Sequence, residues 1–258
     1  MTSDLFDGAA GVWDSLRLVL TEMELELTLK SENVVVVSSV EMPGFLKTRF
    51  LRASYGCALS AATGIRAANP QLSVIAAGCD DEMYGAGGNH FLQTIRRNPN
   101  VTHIVYHGIA CGGQKASEGT INPLTVALCC GASFVARGSV GELEFTRTLM
   151  RQALLHQGYA LVDVIGPKAA GATDADGALA WLADNTYKLE DNIGGERLID
   201  HVEAMNLAFE EPYPLGVLYD CKNLSTLEEN LPSWQNDNRP LFLRPARLEA
   251  VLEYMKNL

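Results

Sequence analysis

The chain has 258 residues, of which 20 are Lys or Arg and 31 are Asp or Glu, so its formal net charge at pH 7 is −11. A surface of this sign repels a phosphate backbone, which argues against a general nucleic-acid binder. An apolar fraction of 47% with 20% charged residues is ordinary globular composition and argues against a disordered chain.

The sequence shows no signal for a membrane or for secretion. No apolar run approaches the roughly 20 residues needed to cross a bilayer. Residues 1–4 are acidic rather than the basic start of a secretory signal. We therefore expect a cytoplasmic protein that does not bind membranes. Six cysteines without CxxC spacing argue against a disulfide framework or a zinc site, and they favour reduced thiols in the core.

Helical and strand patterns alternate from the N-terminus onward. Apolar residues at helical spacing from Val12 to Met23 predict a first amphipathic helix. A β-branched run over residues 33–38, apolar on both faces, predicts a buried parallel strand. Further helices are predicted over 58–68, 88–97, 124–130 and 142–156, and further strands over 72–77, 101–106, 133–136 and 159–165. This order predicts an α/β fold with an open parallel sheet flanked by helices.

The character of the sequence changes after Pro167. A loop of small residues is followed by two predicted helices and by a stretch rich in Pro and Asn; these segments span residues 169–173, 178–187, 197–209 and 232–245. We predict a main domain over 1–167 and a C-terminal helical arm over 168–258. The arm is expected to pack on the core or on a partner subunit, and a small independent subdomain is the alternative.

The most informative segment is GCDDEMYGAGGNHF, residues 78–91, which follows a predicted strand at its carboxyl end. Open α/β sheets bind their ligands at that edge. Three consecutive carboxylates can bind a hard cation, and the glycines let backbone N–H groups approach a phosphate before the next helix. A solvated acidic turn before a close helix–sheet contact is the alternative. No GxxxxGK[ST] or strict GxGxxG motif is present. The candidate binding residues here are Gly78, Asp80, Asp81, Gly87, Gly88 and Asn89.

Several sequence blocks, in the same order over most of the chain, match one known family. They are ATGIR and ANP (62–66 and 68–70), GGNHF (87–91), FVAR (134–137), ALVDV (160–164) and PLGVLY (214–219). On these blocks the chain resembles the β subunit of the 2-oxoacid:ferredoxin oxidoreductases, which binds thiamine diphosphate. The resemblance implies the thiamine-diphosphate-binding fold. It also implies an α-type partner subunit, self-association, or both, because the active sites of this family form between subunits.

The chain departs from the family where an iron–sulfur cluster is usually bound. Family members hold a [4Fe–4S] cluster on four cysteines, and the corresponding residues here are Leu5, Asp7, Met42 and Lys168. Such clusters require thiolate ligands, which none of these four side chains supplies. We therefore expect no iron–sulfur cluster at this position.

The motif that binds the cofactor in the family is also altered. The family's GDGD, whose first aspartate binds the magnesium of thiamine diphosphate, corresponds to CDDE, residues 79–82. Asp80 keeps the metal-ligand position, whereas Asp81 replaces a glycine and adds a like charge beside the diphosphate. The asparagine that supplies the second ligand is absent from residues 106–114, and the family's LHGRA is replaced by SYGCA, residues 54–58. The resemblance thus implies metal binding by Asp80 with thiamine diphosphate and Mg²⁺ binding altered or lost.

Two residues near the missing asparagine have alternative interpretations. His107 follows a strand that faces the expected crevice, so it can serve as a general base or bind a ligand. Cys111, beside two glycines, can be a reactive thiol. A hydrogen-bonded loop histidine and an inert buried thiol are the alternatives. Since Mg²⁺ prefers oxygen ligands, His107 is a poor replacement for the asparagine, and the sequence assigns no catalytic residue.

Three functions are compatible with these observations. The first is a β-subunit-like component of a 2-oxoacid:acceptor oxidoreductase complex with a structural or regulatory role. The second is an active thiamine-diphosphate-dependent oxidoreductase or decarboxylase subunit that binds its metal through Asp80. The third is a crevice that binds another anionic ligand or metal through Asp80, Asp81, Glu82, His107 and Cys111. Because the cluster and metal ligands are lost together, the sequence favours the first.

Overall fold

The computed structural model describes residues 9–26, 29–41, 44, 48–107, 122–166, 175–189, 200–235, 237, 239–244 and 255. The strands of this part are β1 (Val34–Ser38), β2 (Arg49–Arg52), β3 (Ser73–Cys79), β4 (Val101–Tyr106), β5 (Phe134–Ser139), β6 (Ala160–Ile165), β7 (Thr186–Lys188) and β8 (Tyr213–Asp220). Its α-helices are α1 (Ala9–Leu25), α2 (Ala58–Ala68), α3 (Gly88–Arg97), α4 (Pro123–Cys129), α5 (Leu143–Leu155), α6 (Ala175–Asn185), α7 (His201–Phe209), α8 (Leu227–Asn230) and α9 (Pro232–Gln235).

The described strands form one mainly parallel sheet in the order β2-β1-β3-β4-β6-β5-β8-β7. Every pair from β2 to β5 is parallel, and β8 pairs antiparallel with β5. β2, which follows β1 in the chain, lies on one side of β1 in the sheet. β3 lies on the other side of β1, and the chain continues from β3 to β4, farther from β1. The carboxyl ends of β1 and β3 therefore diverge at a topological switch point, where open α/β sheets bind ligands.

Helices cover both faces of the sheet, which confirms the predicted fold class. On one face α1 and α5 pack together over side chains such as Val36, Ile104 and Val162. On the other face α2, α3, α4 and α7 cover the alternate residues of the same strands, including Val35 and Val105. The central strands are buried on both faces, as their continuous apolar runs predict.

Residues after 168 contribute strands as well as helices, which the sequence did not predict. β8 adds to the edge of the sheet beside β5, and β7 pairs with β8. A buried ion pair, Arg66 Nε to Glu228 Oε1 at 2.6 Å, joins α2 to α8. The Trp234 indole N–H donates to the Ala67 carbonyl at 3.1 Å, so α9 also contacts α2. The division into a domain over 1–167 and an arm over 168–258 stays a prediction.

Two local elements at the carboxyl edge of the sheet were also not predicted. β2 is a short, mostly exposed edge strand with arginine at both ends, which lacks the apolar alternation of a typical strand. A π-helical turn, Asp81–Ala86, connects β3 to α3. No helix among the described residues is long and apolar enough to span a bilayer.

Candidate functional site

The turn between β3 and α3 is shaped by close packing around two glycines. A Cβ on Gly78 would lie 2.5 Å from Met83 Cε, and one on Gly87 would lie 2.9 Å from the carbonyl oxygens of Glu82 and Gly56. Gly88, the first residue of α3, would have no neighbour within 4 Å of an added Cβ. Asn89, the second residue of α3, is exposed. Internal packing thus explains Gly78 and Gly87, and the predicted role of these residues in binding a cofactor stays a prediction.

Glu82 points into the protein rather than toward solvent. The residue is fully buried. Its Oε2 accepts a hydrogen bond from Ser39 Oγ at 2.6 Å, and its Oε1 accepts one from the Gly56 N–H at 3.2 Å. Burial raises the pKa of Glu82, and the hydrogen bonds from Ser39 and Gly56 oppose that rise. Glu82 therefore ties the end of β1 to the segment before α2, and the acidic turn is not a set of three solvated carboxylates.

A chain of polar side chains lies at the carboxyl ends of the central strands. His107, directly after β4, has its Nδ1 3.5 Å from Asp80 Oδ2 and its Nε2 2.9 Å from Asp163 Oδ1. The Tyr84 hydroxyl donates to the same Asp163 oxygen at 2.7 Å. The structure thus brings together Asp80 and His107, both candidates from the sequence, and it adds Asp163 of β6 and Tyr84.

The charge of Asp163 is stabilised although the residue is buried. Burial raises the pKa of its carboxyl, but the charge and hydrogen bond of His107, the Tyr84 hydrogen bond and the charge of Arg137 together bring that pKa below its usual value. The ring of His107 lies between the carboxylates of Asp80 and Asp163, and its hydrogen bond to Asp163 contributes to the lowered pKa of that carboxyl.

Arg137 of β5 completes a row of ionisable side chains across four neighbouring strands. Its Cα is in register with that of Asp163, and the side chain is buried. The guanidinium donates to the Ala208 carbonyl at 2.8 Å, at the end of α7, and lies 5.4 Å from the ring centroid of Tyr213. The order along β3, β4, β6 and β5 is carboxylate, imidazole, carboxylate and guanidinium.

An open cavity of about 680 Å³ lies at the carboxyl ends of β1 and β2. Its lining comes from the segments after these two strands and consists of Ser39, Val40, Arg52, Ala53, Ser54 and Tyr55. Three of these residues, Ser39, Ser54 and Tyr55, carry hydroxyl groups, and Arg52 carries the one guanidinium of this set. Two of the residues aligned with the family's LHGRA, Ser54 and Tyr55, thus line this cavity.

The described residues contain one of the side-chain ligands that the family uses for the Mg²⁺ ion of thiamine diphosphate. Mg²⁺ binds in an octahedron of oxygen ligands. Asp80 is the one expected ligand in this part of the chain, and the group facing it is the imidazole of His107. Among the described residues no group of three or more His, Cys, Asp or Glu side chains is placed to hold a metal ion. We therefore assign no reaction step to the cofactor.

Several residues named from the sequence lie outside the described part of the chain. They are the four residues at the expected cluster positions, Leu5, Asp7, Met42 and Lys168, and the possible reactive thiol, Cys111. Sequence reasoning also missed Asp163 and Arg137 as site residues. The signal was present, because each is a single charged residue inside an otherwise apolar, buried strand, ALVDV or FVAR, where a charge needs a partner.

Known protein families match two parts of the chain. Residues 34–164 match the C-terminal TPP binding domain of thiamine pyrophosphate enzymes. Residues 177–236 match the C-terminal part of the pyruvate ferredoxin oxidoreductase beta subunit. The 2-oxoacid:ferredoxin oxidoreductase 2, subunit beta, of Aeropyrum pernix is 28% identical over 257 residues, covering 87% of this chain and 81% of that one. The chain belongs to the β subunits of the 2-oxoacid:ferredoxin oxidoreductases.

A further relative and a solved structure are also similar to this chain. The 2-oxoglutarate oxidoreductase subunit KorB of Mycobacterium tuberculosis is 31% identical over 163 residues, which cover 54% of this chain and 44% of that one. The 2-oxoglutarate:ferredoxin oxidoreductase of Magnetococcus marinus, solved with 2-oxoglutarate, coenzyme A and succinyl-CoA bound, superposes with a TM-score of 0.78 at 22% identity. This superposition covers 96% of this chain and 89% of that one. It shows that the two share the thiamine-diphosphate-enzyme fold.

Proposed function

We propose that this β-type subunit has a structural or regulatory role in a 2-oxoacid:acceptor oxidoreductase complex. In this proposal the chain carries no [4Fe–4S] cluster of its own, and its binding of thiamine diphosphate and Mg²⁺ is lost or altered. The complex is a hetero-oligomer in which an α-type subunit is the partner. The relatives support this assembly because they are named as β subunits.

The position of His107 is the observation that carries the proposal. Its Nδ1 lies 3.5 Å from Asp80, the residue aligned with the family's metal ligand, and its Nε2 is bonded to Asp163 at 2.9 Å. An imidazole whose Nδ1 faces Asp80 opposes a divalent cation at the same place when it carries a proton. This position supports the proposal of a subunit that kept the fold and lost the cofactor.

The altered acidic turn is consistent with the same interpretation. Asp81 adds a carboxylate where the family has glycine, and Glu82 has turned inward to hold Ser39 and Gly56. Neither change adds a donor for a diphosphate. Asp81 makes the end of β3 more negative, whereas a diphosphate needs cations or N–H donors there.

A thermal melt with thiamine diphosphate and Mg²⁺ tests this proposal directly. A ligand that binds only the folded state at 100 times its Kd stabilises by about 2.7 kcal/mol, which for a chain of this size raises the Tm by about 5–10 °C. We expect no such rise at millimolar concentrations, either for the wild type or for Asp80→Ala. A saturable rise in the wild type that Asp80→Ala abolishes would overturn the proposal and favour an active subunit.

A second pair of variants asks whether His107 is the cause. His107→Asn removes the imidazole and supplies the amide oxygen that the family uses, and His90→Asn makes the same change on α3, away from the row. If the imidazole excludes the metal, a Mg²⁺-dependent rise in Tm is expected in His107→Asn and not in His90→Asn. An identical response of both variants would show that His107 does not decide metal binding.

A further inference from the structure

The longest run of exposed apolar residues in the described part of the chain lies near its C-terminus. Leu241, Phe242 and Leu243 form one 3₁₀ turn, and their exposed fractions are 46%, 78% and 57%. Other large apolar side chains on the described surface, such as Leu155 and Phe209, are exposed without apolar neighbours of this kind in sequence. Consecutive exposed apolar residues are unfavourable in water, and they persist mainly where they bind something.

A set of contacts from Arg244 holds this turn in one conformation. The guanidinium stacks on the Trp234 ring with Cζ 3.9 Å from its centroid. Its nitrogens donate to three backbone carbonyls, those of Ser233, Asp237 and Arg239. Trp234 is itself fixed to α2 through its hydrogen bond to the Ala67 carbonyl. The apolar turn is therefore preorganised, which lowers the entropy lost when it binds.

The charge of the chain indicates the kind of partner. Each copy carries −11, so a second copy or an anionic lipid surface would be repelled. A Phe side chain buries about 150–250 Å², whereas a standard interface buries about 800 Å² on each side. The turn can therefore anchor a larger interface but cannot form one alone, which fits a stable subunit better than a short peptide.

We propose that the turn Leu241–Leu243 is an anchor that inserts into an apolar pocket of the α-type subunit. This inference rests on the proposed function, which supplies the α-type partner. Phe242 is the central contact, because it is the largest and most exposed of the three side chains and projects from a turn that Arg244 fixes. We do not expect Arg244 to bind the partner, because its guanidinium nitrogens donate hydrogen bonds within this segment.

Affinity for the α-type subunit encoded in the same genome, measured by calorimetry on the full chain, tests the anchor. Phe242→Ser should weaken binding by about 30-fold or more, the effect of losing one dominant interface residue. Leu243→Ser should weaken it as well. Phe209→Ser and Leu155→Ser make the same changes at other exposed positions, and each should alter affinity by no more than about 2-fold. Unchanged Tm values in all four variants show that folding is intact.

Three results would overturn the inference. Wild-type affinity in Phe242→Ser and Leu243→Ser would leave the proposed function standing and remove the anchor. Self-association of the isolated chain that Phe242→Ser abolishes, measured by sedimentation, would assign the turn to a second copy. Failure of the wild type to bind the α-type subunit at all would contradict the proposed function and this inference with it.

Discussion

Acidification should destabilise this protein through His103, a buried histidine on β4. His103 is fully buried on β4, with Nδ1 2.7 Å from the Tyr159 hydroxyl, and among the described residues its Nε2 has no hydrogen-bond partner. Burial lowers its pKa from 6.5 to about 3, a shift that Asp163 opposes only weakly. The unfolded chain therefore binds a proton that the folded chain excludes.

The sign and size of this effect follow from linkage. Because the folded pKa is depressed, the stability that His103 contributes is present above pH 6.5 and is lost as the pH falls toward 3. With those two values, about 2 kcal/mol is lost between pH 8 and pH 5, and about 5 kcal/mol in all. Asp163 adds a loss at lower pH, because its folded pKa also lies below its unfolded value.

Chemical denaturation at pH 8 and pH 5 isolates the contribution of His103. His103→Phe fills the same aromatic site without a titratable group, so its loss of stability between the two pH values should be about 2 kcal/mol smaller than that of the wild type. Tyr159→Phe removes the hydrogen bond but keeps the histidine buried, and it should retain the wild-type pH dependence. Equal pH dependence in the wild type and His103→Phe would show that His103 does not exclude a proton from the folded protein.

Three further changes test the packing that supports the site. Glu228→Gln leaves Arg66 buried without its counter-ion and should cost about 3–5 kcal/mol in denaturant unfolding; a cost below 1 kcal/mol would mean that the pair is effectively solvated. Gly158→Ala should lower the Tm more than Gly131→Ala does. Both glycines have positive φ, but an added Cβ at Gly158 would lie 2.6 Å from a neighbouring side-chain oxygen, whereas one at Gly131 would have no neighbour within 4 Å. Equal Tm values for the two variants would contradict this. Asp163→Asn should reduce the loss of unfolding free energy below about pH 4, because a carboxyl with a depressed folded pKa stabilises the protein only above its unfolded pKa. The same loss of unfolding free energy in the variant and the wild type would contradict a buried, charged Asp163.

The regular elements were predictable because their local signals agree with their burial. The helices over 58–68 and 88–97 and the strand over 101–106 lie at their predicted bounds. Their apolar periodicity and the Pro and Asn residues at their ends leave little competition from other conformations. The strand β2 and the π-helical turn before α3 were missed because tertiary contacts stabilise them, including the hydrogen bonds that Glu82 makes at long sequence separation.

The site was predictable only in part, for a related reason. Asp80 and His107 could be placed at strand ends, since carboxyl ends of parallel strands share one edge. That His107 lies between Asp80 and Asp163 depends on the strand order, in which β4 lies beside β6 rather than β5. Neither composition nor spacing specifies that order, so the row of ionisable side chains could not be derived from the sequence alone.

The cofactor content of the complex purified with its α-type subunit tests the central claim most directly. Iron, acid-labile sulfide and thiamine diphosphate are each measured per copy of this chain, without added cofactor. We predict that none of the three is bound by this subunit in stoichiometric amount. One equivalent of thiamine diphosphate per chain, lost in Asp80→Ala, would contradict it and show that the row of Asp80, His107 and Asp163 accommodates the cofactor.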